Sequence, residues 1–152
     1  MQLTQYTDYA LRTLIYLARQ QNQLVTISAI AEFYAISRNH LIKIVHHLAQ
    51  QGYIETIRGK HGGIRLAKAP EEIRLGELVR QTEPNFNLAE CFDKAKNHCA
   101  ITRSCRLQGI LHEAARNFIA TLDRHTLADV VGTTDNAVAI LGNTLTRRDN
   151  QI

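Results

Sequence analysis

The chain has 152 residues, 45% of them hydrophobic and 21% charged, which is enough apolar side chain to bury a core and excludes wholesale disorder. The length fits one domain, or a small domain with an attached association arm. The net charge of +4 is uneven, since residues 1–68 carry eight Lys and Arg against three Asp and Glu, whereas residues 69–152 carry ten against eleven. A basic half of this kind indicates an anionic partner, with nucleic acid as the leading candidate and a merely soluble basic face as the alternative.

The sequence contains no apolar run long enough to span a membrane. Its first twenty residues interleave Asp8, Arg12 and Arg19 with apolar side chains, so they lack the uninterrupted core of a signal peptide. We therefore expect a cytoplasmic protein with no membrane partner. In that compartment free thiols and metal clusters persist, whereas disulfides are unusual.

Three helices are predicted in the first third of the chain. Residues 4–20 place apolar side chains at helical spacing, and Thr26 is suited to cap a short second helix. A third helix is predicted after a brief turn, with Ser37 as its N-cap and Gly52 as its C-terminal stop. Its apolar stripe consists of Leu41, Ile44, Val45 and Leu48. Two helices joined by a short turn are typical of a helix-turn-helix, placed here at about residues 28–51.

A β-hairpin is predicted next, at about residues 53–67. Two β-rich runs, 53–57 and 64–67, flank the glycine-rich basic loop 58–63. Three helices followed by a hairpin form a winged helix. Residues 1–83 are therefore predicted to be a winged helix-turn-helix DNA-binding domain.

A further helix is predicted at about residues 71–83, since Pro70 begins it and Pro84 ends it. Residues 84–106 show no sustained periodicity and are predicted to form a loop.

A long amphipathic helix is predicted after that loop, and its apolar seam could face a second copy of itself. The seam consists of Leu107, Leu111, Ala114 and Phe118. A helix packed only on its own domain is the alternative. The predicted fold is thus mainly α, with a dimerisation helix and a short final helix at 107–131, the latter capped at Thr126, and a loose tail at 132–152.

The three cysteines, Cys91, Cys99 and Cys105, fall within fifteen residues, and the rest of the chain contains none. Their C-x7-C-x5-C spacing suits neither a disulfide framework nor the paired C-x2-C motifs of a structural zinc site. Three thiolates with a different fourth ligand would suit an iron–sulfur cluster. The residues alone leave open two alternatives, which are shielded thiols on a loop and one disulfide with a spare thiol.

The face of the third helix opposite its apolar stripe is predicted to meet DNA. Arg38 can approach guanine as a fork of donors, and Asn39 can pair with an adenine edge. Phosphate oxygens are suited to contact Ser28 and the amide groups at the helix N-termini, one of which begins at Ser37. The other outward or flanking positions of this helix are His40, Lys43, His46, His47 and Gln50.

The tip of the predicted wing is the second candidate DNA contact. Glycine lets the backbone come close to DNA, and the cations supply attraction to phosphates or to the minor groove. A solvated hairpin without a partner is the alternative. The residues concerned are Arg58, Lys60 and His61, interleaved with Gly59, Gly62 and Gly63.

The order of winged helix, cysteine loop and long C-terminal helix resembles that of the iron–sulfur winged-helix repressors of bacteria. The N-terminal run MQLTQYTDYALR, residues 1–12, strengthens the resemblance, as does the wing run 59–63 followed by Arg65-Leu66-Ala67. The resemblance covers roughly residues 1–131. It implies a homodimer that binds a palindromic operator in double-stranded DNA.

Within that family the chain is most similar to the nitric-oxide-sensing repressors. The neighbouring branch, the regulators of cluster assembly, has a histidine just after the third cysteine, whereas Leu107 and Gln108 occupy those places here. The nitric oxide sensors add to their three cysteines an aspartate from the partner subunit, and Asp8 occupies the matching position. The resemblance thus implies an iron–sulfur cluster, 4Fe–4S rather than 2Fe–2S, held by Cys91, Cys99, Cys105 and the partner's Asp8.

The implied activity is repression while the cluster is intact, with nitric oxide as the signal that nitrosylates the cluster and releases the operator. Asp8 could instead be a carboxylate stabilised by the dipole of the first helix, and His98 or His112 could complete a zinc site. A winged-helix regulator that senses redox state through disulfides is the alternative function. An enzyme with a cysteine nucleophile is disfavoured, since the sequence offers no phosphate-cradling loop, paired carboxylates or large α/β scaffold.

Overall fold

The computed structural model describes residues 2–20 and 23–132, and this part of the chain forms six α-helices and one antiparallel β-hairpin. The predicted mainly α fold with a winged helix is confirmed. In chain order the elements are α1 (Gln5–Arg19), α2 (Ile27–Tyr34), α3 (Arg38–Gln50), β1 (Ile54–Ile57), β2 (Gly63–Leu66), α4 (Leu75–Thr82), α5 (Arg106–Asp123) and α6 (Leu127–Val131).

The ends of α2 and α3 follow from local chemistry. The Thr26 hydroxyl accepts a hydrogen bond from the Ala29 amide at 3.1 Å and so caps α2, as predicted. Ala35 adopts a left-handed conformation with φ 53°, which turns the chain toward α3. Ser37 stands at the N-cap of α3, but its side chain makes no capping hydrogen bond. The predicted position of this cap is therefore correct.

One apolar core joins α1, α2, α3 and the hairpin. The predicted stripe of α3 is buried, with exposed fractions between 0 and 4%, so the opposite face of this helix is the outer one. The largest fully buried side chains are Leu14, Ile30, Leu41, Ile44, Leu48, Ile64, Ile73, Leu78 and Leu127.

The hairpin is fixed to the rest of the domain by a backbone pairing that the sequence did not predict. β1 and β2 pair antiparallel with Ile54 opposite Leu66. Val25, just before α2, exchanges both hydrogen bonds with Ile64 at 3.0 and 2.8 Å and so forms an isolated bridge on the other edge of β2. The wing is therefore held on both sides of β2, which fixes its direction relative to α2 and α3.

The predicted helix at 71–83 is wrong in its first half. Residues Pro70–Glu72 form a single 3-10 turn, and the chain is extended at Ile73 and Arg74 before α4 begins. The physical reason is a long-range pairing of the backbone. The amide of Leu127 donates to the carbonyl of Ile73 at 2.8 Å, and the amide of Leu75 donates to the carbonyl of His125 at 3.0 Å.

The C-terminal helices return to the winged helix. Leu127 of α6 is fully buried in the main core, and the predicted capping box forms, with the Thr126 amide donating to the Asp129 carboxylate at 2.8 Å. At the end of α5 the Asp123 carboxylate accepts hydrogen bonds from the Arg80 guanidinium, which hold the pKa of that carboxyl below its usual value. The return fixes the C-terminal end of α5 against α4.

Gly76 lies on α4, the same helix as Arg80, at the position where α4 crosses the end of α5. A β-carbon at Gly76 would lie 2.0 Å from a carboxylate oxygen of Asp123 and 2.9 Å from its backbone nitrogen. Glycine is therefore required for α4 and α5 to approach this closely.

No helix in residues 2–20 or 23–132 is long and apolar enough to cross a lipid bilayer. The predicted loose tail lies outside the described residues, except for Gly132.

The crossing of α4 and α5 generates a stability prediction. Gly76→Ala should lower the free energy of unfolding by about 1–3 kcal/mol, because the added methyl group overpacks the contact with Asp123. Gly109→Ala, on the outer side of α5, has no atom within 4 Å of the added carbon and should raise stability by up to about 1 kcal/mol. Urea unfolding followed by circular dichroism measures both, and equal effects of the two changes would contradict the proposed close contact.

Candidate functional site

The outer face of α3 presents the predicted DNA-contacting side chains to solvent. Asn39, His40 and Lys43 are all exposed. Arg38 is also exposed, and its Nε donates to the Ser28 hydroxyl at 3.2 Å, which joins the first turn of α3 to the first turn of α2. The guanidinium is therefore oriented beside the N-terminal end of α2 rather than free to swing. This arrangement matches that of a recognition helix, whose N-terminal residues reach base edges.

His47, which the sequence placed on the same outer face, is turned toward α1. Its ring nitrogen Nδ1 lies 2.9 Å from the Tyr6 hydroxyl, and the side chain is half-buried. Burial raises the pKa of Tyr6, which therefore remains a neutral hydrogen-bonding group. His47 is thus a contact between α1 and α3, and its placement on the DNA face was wrong.

The wing tip carries three exposed side chains with no ion pair among the described residues, and these are Arg58, Lys60 and His61. Arg65 lies further along β2 and is paired with Glu55 across the hairpin at 2.9 Å. The tip therefore combines unpaired positive charge with a narrow turn, which suits the phosphate backbone of DNA.

Gly62 and Gly63 have a structural role in the wing that is independent of any DNA contact. A β-carbon at Gly62 would lie 2.2 Å from the Ile57 carbonyl oxygen, and one at Gly63 would lie 2.8 Å from the Val25 carbonyl oxygen. Both positions therefore need glycine to form the turn and the pairing with Val25. Their contact with DNA stays a prediction.

The three cysteines lie on a loop with two 3-10 turns, Glu90–Phe92 and Thr102–Ser104. All three are free thiols, Cys91 and Cys105 half-buried and Cys99 exposed. The Gln108 side chain donates to the Cys91 carbonyl oxygen at 3.3 Å, so the start of this loop lies beside the first turn of α5. Cys105 is the residue that precedes α5.

The loop is ordered by side-chain hydrogen bonds around Cys99. The Asn97 carboxamide accepts from the Cys99 amide at 3.1 Å, and the Thr102 hydroxyl donates to the Cys99 carbonyl oxygen at 2.8 Å. His98 donates its amide to Glu90, and His112 stacks on Phe92 with 4.0 Å between ring centroids. The His112 ring therefore packs against the loop, whereas His98 contributes only its backbone amide.

The donor set of this loop fits an iron–sulfur cluster chemically. Thiolates are the usual protein ligands of such clusters, and the N-terminus of an eighteen-residue helix beside Cys105 favours the negative charge that a thiolate-bound cluster carries. Within the described residues of one chain, no three His, Cys, Asp or Glu side chains lie close enough together to hold a metal ion.

Asp8 lies in the first turn of α1 and is paired with Arg12 of the same helix. Its two carboxylate oxygens lie 3.0 and 2.9 Å from the Arg12 guanidinium. The Arg12 guanidinium lies 5.8 Å from the centre of the Tyr34 ring of α2. The i, i+4 spacing of Asp8 and Arg12 is a signal that could have predicted this pair from the sequence.

A second contact near the N-terminus was also missed. The Thr4 amide and hydroxyl both donate to the Glu83 carboxylate, at 2.7 and 3.1 Å. Glu83 directly follows α4 and precedes the cysteine loop, so this carboxylate ties the start of α1 to the start of the loop. No sequence signal connects two residues 79 positions apart.

A family model described as Rrf2, iron-dependent transcriptional regulator, matches residues 3–133. Transcriptional regulators named NsrR are similar to the chain: one from Bacillus licheniformis is 49% identical, covering 93% of this chain and 99% of that protein. Another, from Bacillus subtilis, is 50% identical, covering 93% and 97%.

Two solved structures have a similar fold. Staphylococcus aureus CymR in its oxidised form has a TM-score of 0.69 and is 26% identical, covering 89% of this chain and 99% of that one. The T. potens IscR structure has a TM-score of 0.71 and is 21% identical, covering 90% of each chain. At that identity the IscR structure supports the fold alone.

The exposed cations on α3 and the wing generate a prediction about DNA binding. Arg38→Ala should reduce sequence preference and cost about 1–3 kcal/mol if its guanidinium contacts a base. Lys60→Ala should weaken binding to all duplexes alike and reduce the slope of log affinity against log salt by about one unit, because one phosphate contact is lost.

Lys68 provides the control for the wing, since its ammonium lies at the other end of the hairpin, 5.0 Å from the Tyr53 ring. Lys68→Ala should leave the salt slope at the wild-type value. Fluorescence anisotropy at several salt concentrations measures the slopes, and a wild-type slope for Lys60→Ala would exclude the wing tip from the interface.

Proposed function

The chain belongs to the Rrf2 family of iron-dependent transcriptional regulators, and we propose that it is a repressor whose operator binding depends on an iron–sulfur cluster and ends when nitric oxide reacts there. The chain is an NsrR-like DNA-binding regulator, and the relatives it matches are regulators rather than enzymes. The observation that carries the finer proposal is the likeness to NsrR proteins at about half identity over 93% of the chain, including the cysteine loop.

We propose Cys91, Cys99 and Cys105 of one chain, with the partner's Asp8, as the cluster ligands. Their support is chemical, since all three thiols are free and no histidine stands directly after Cys105. When bound, the cluster would supply an iron that the carboxylate holds more weakly than thiolates hold the others, and nitric oxide would react at that iron. A 4Fe–4S cluster is proposed over a 2Fe–2S cluster.

The partner in the proposed homodimer would cover α5. None of the residues of α5 is buried, and Leu107 and Ile110 keep 58% and 61% of their surface exposed. Large apolar side chains left exposed along one helix are typical of an interface. We propose that residues 107–131 comprise the dimerisation helix, α5, and the short final helix, α6, that 84–106 are the cluster loop and that 1–83 are the DNA-binding domain.

Asp8 is placed to influence the recognition helix through its own helix. α1 packs on α3 in the core, and the hydrogen bond between Tyr6 and His47 adds a polar contact two residues from Asp8. If Asp8 holds α1 against the cysteine loop of the partner, the two copies of α3 are kept at a fixed separation. A dimer binds DNA only when that separation matches half-sites about 34–36 Å apart, or a multiple of this distance.

Cluster ligation would add an iron to a carboxylate that already accepts from the Arg12 guanidinium at both oxygens. Loss of the cluster would leave Asp8 paired with Arg12 alone, and α1 would lose its tether to the partner. The proposed switch therefore has two states, with Asp8 bound to the partner's cluster or free of it.

The proposed function can be tested on protein purified without oxygen, by measuring its iron and sulfide content, its absorption spectrum and its operator binding. We expect a brown protein that contains iron and sulfide, binds its operator as a dimer, and loses both its absorption spectrum and its DNA binding when nitric oxide is added. A colourless, iron-free dimer whose DNA binding responds to thiol oxidants would support the disulfide regulator instead.

Single changes in the cysteine loop test the three proposed thiolate ligands. Changing Cys91, Cys99 or Cys105 to Ala should abolish or sharply reduce bound iron and sulfide, and operator affinity with them, because each removes one thiolate ligand. Ser104→Ala, at an exposed position beside Cys105, is the matched control and should bind a full complement of iron. Full iron content in any cysteine variant would show that this residue is not a ligand.

Asp8→Ala tests the proposed fourth ligand. Three thiolates remain, so we expect the cluster to assemble with an altered absorption spectrum and with weaker specific DNA binding. Arg12→Ala breaks the same ion pair but keeps the carboxylate, and it should keep the wild-type spectrum.

Mixed dimers test whether Asp8 acts across the dimer. One chain carries Asp8→Ala, and the other carries all three cysteines changed to Ala. Ligation across the dimer predicts a wild-type spectrum, since the intact cysteine loop faces an intact Asp8. The spectrum of Asp8→Ala would instead place ligation within one chain and exclude the proposed tether.

A further inference from the structure

One apolar side chain of α3 is not in the core. Leu41, Ile44, Val45 and Leu48 are between 0 and 4% exposed, whereas Ile42 keeps 39% of its surface in solvent. No described residue covers this side chain fully, so Ile42 is the large hydrophobic residue that α3 presents outward. Ile42 therefore offers an apolar contact on the solvent-exposed side of α3.

The surroundings of Ile42 define the chemistry of that partner. At helical spacing it lies one turn after Arg38 and Asn39 and one turn before His46, and it directly precedes Lys43. All four of these side chains are exposed, and none carries a negative charge. An apolar protein surface would leave the Arg38 and Lys43 charges without partners, whereas a DNA groove pairs them and also offers an apolar group.

That apolar group is the C5-methyl of thymine, which projects into the major groove beside the hydrogen-bonding edges of the bases. We propose that Ile42 is a specificity-determining residue that packs against a thymine methyl group in the operator half-site. The inference rests on the proposed role of α3 as the recognition helix. It adds an apolar contact to the polar ones assigned to Arg38 and Asn39.

The contact can be tested by removing either of its two sides. Replacing one thymine with deoxyuridine deletes only the methyl group and leaves the pairing edge unchanged. A duplex selected by the wild-type dimer from a random pool of double-stranded DNA would be resynthesised with uracil at one thymine pair after another, symmetrically in both half-sites. At one position we expect an affinity loss of about fourfold per half-site, the factor for burial of one methyl group.

Ile42→Ala should abolish that discrimination. The variant should bind the thymine and uracil duplexes with equal affinity at this position, so the two losses are not additive. Leu24→Ala removes a comparably exposed apolar side chain, 40% exposed in the segment before α2, and should retain wild-type discrimination. Thermal unfolding of both variants checks that the fold is intact, which we expect because both side chains lie on the surface.

Two results would overturn the assignment. One is a wild-type protein that is indifferent to uracil at every position, and the other is an Ile42→Ala variant that keeps the full discrimination. If that variant also shows weaker self-association, a protein surface rather than DNA covers Ile42. Iron content and response to nitric oxide are measured on the same samples, so a failure of the sensing proposal is seen separately from a failure of the methyl contact.

Discussion

The architecture depends on a short backbone pairing between residues far apart in the chain. Ile73 and Leu75 exchange hydrogen bonds with Leu127 and His125, and Leu127 fills the core of the winged helix. Because this pairing is made by main-chain groups inside the domain, the end of α5 cannot rotate without breaking it. The bidentate contact of Asp123 with Arg80 acts at the same junction. The C-terminal end of α5 is therefore joined to the winged helix by backbone and side-chain contacts together.

The helix α1 occupies the other critical place, because it contacts three parts of the molecule. Its start is tied to Glu83 before the cysteine loop, Tyr6 reaches the recognition helix, and Arg12 lies near the Tyr34 ring of α2. Asp8 sits among these contacts with its charge compensated locally. A helix with such connections can move only as a unit, so a force applied to Asp8 would act on α2 and α3 together.

Features that depend on local sequence pattern were predicted correctly, whereas contacts between residues far apart in the chain were not predicted. The buried face of α3, the cap at Thr26 and the stop at Gly52 follow from spacing and residue type, and they were correct. The bridge between Val25 and Ile64, the pairing that delays the start of α4 and the contact of Glu83 with Thr4 all join residues that share no sequence motif. The candidate site divides in the same way, since the solvent-facing positions of α3 follow from helical geometry. The cysteine and Asp8 assignments came from resemblance, because spacing alone cannot name a fourth ligand, and they stay predictions.

The glycines at the wing tip have a role distinct from that of its charged residues. Any side chain at Gly62 or Gly63 would collide with the backbone, so these two positions are closed to substitution for reasons of folding. Arg58, Lys60 and His61 are exposed and make no ion pair with described residues, so they can be exchanged without loss of the hairpin. The shape of the wing therefore depends on two glycines, whereas the charge at its tip can be changed without disturbing the hairpin.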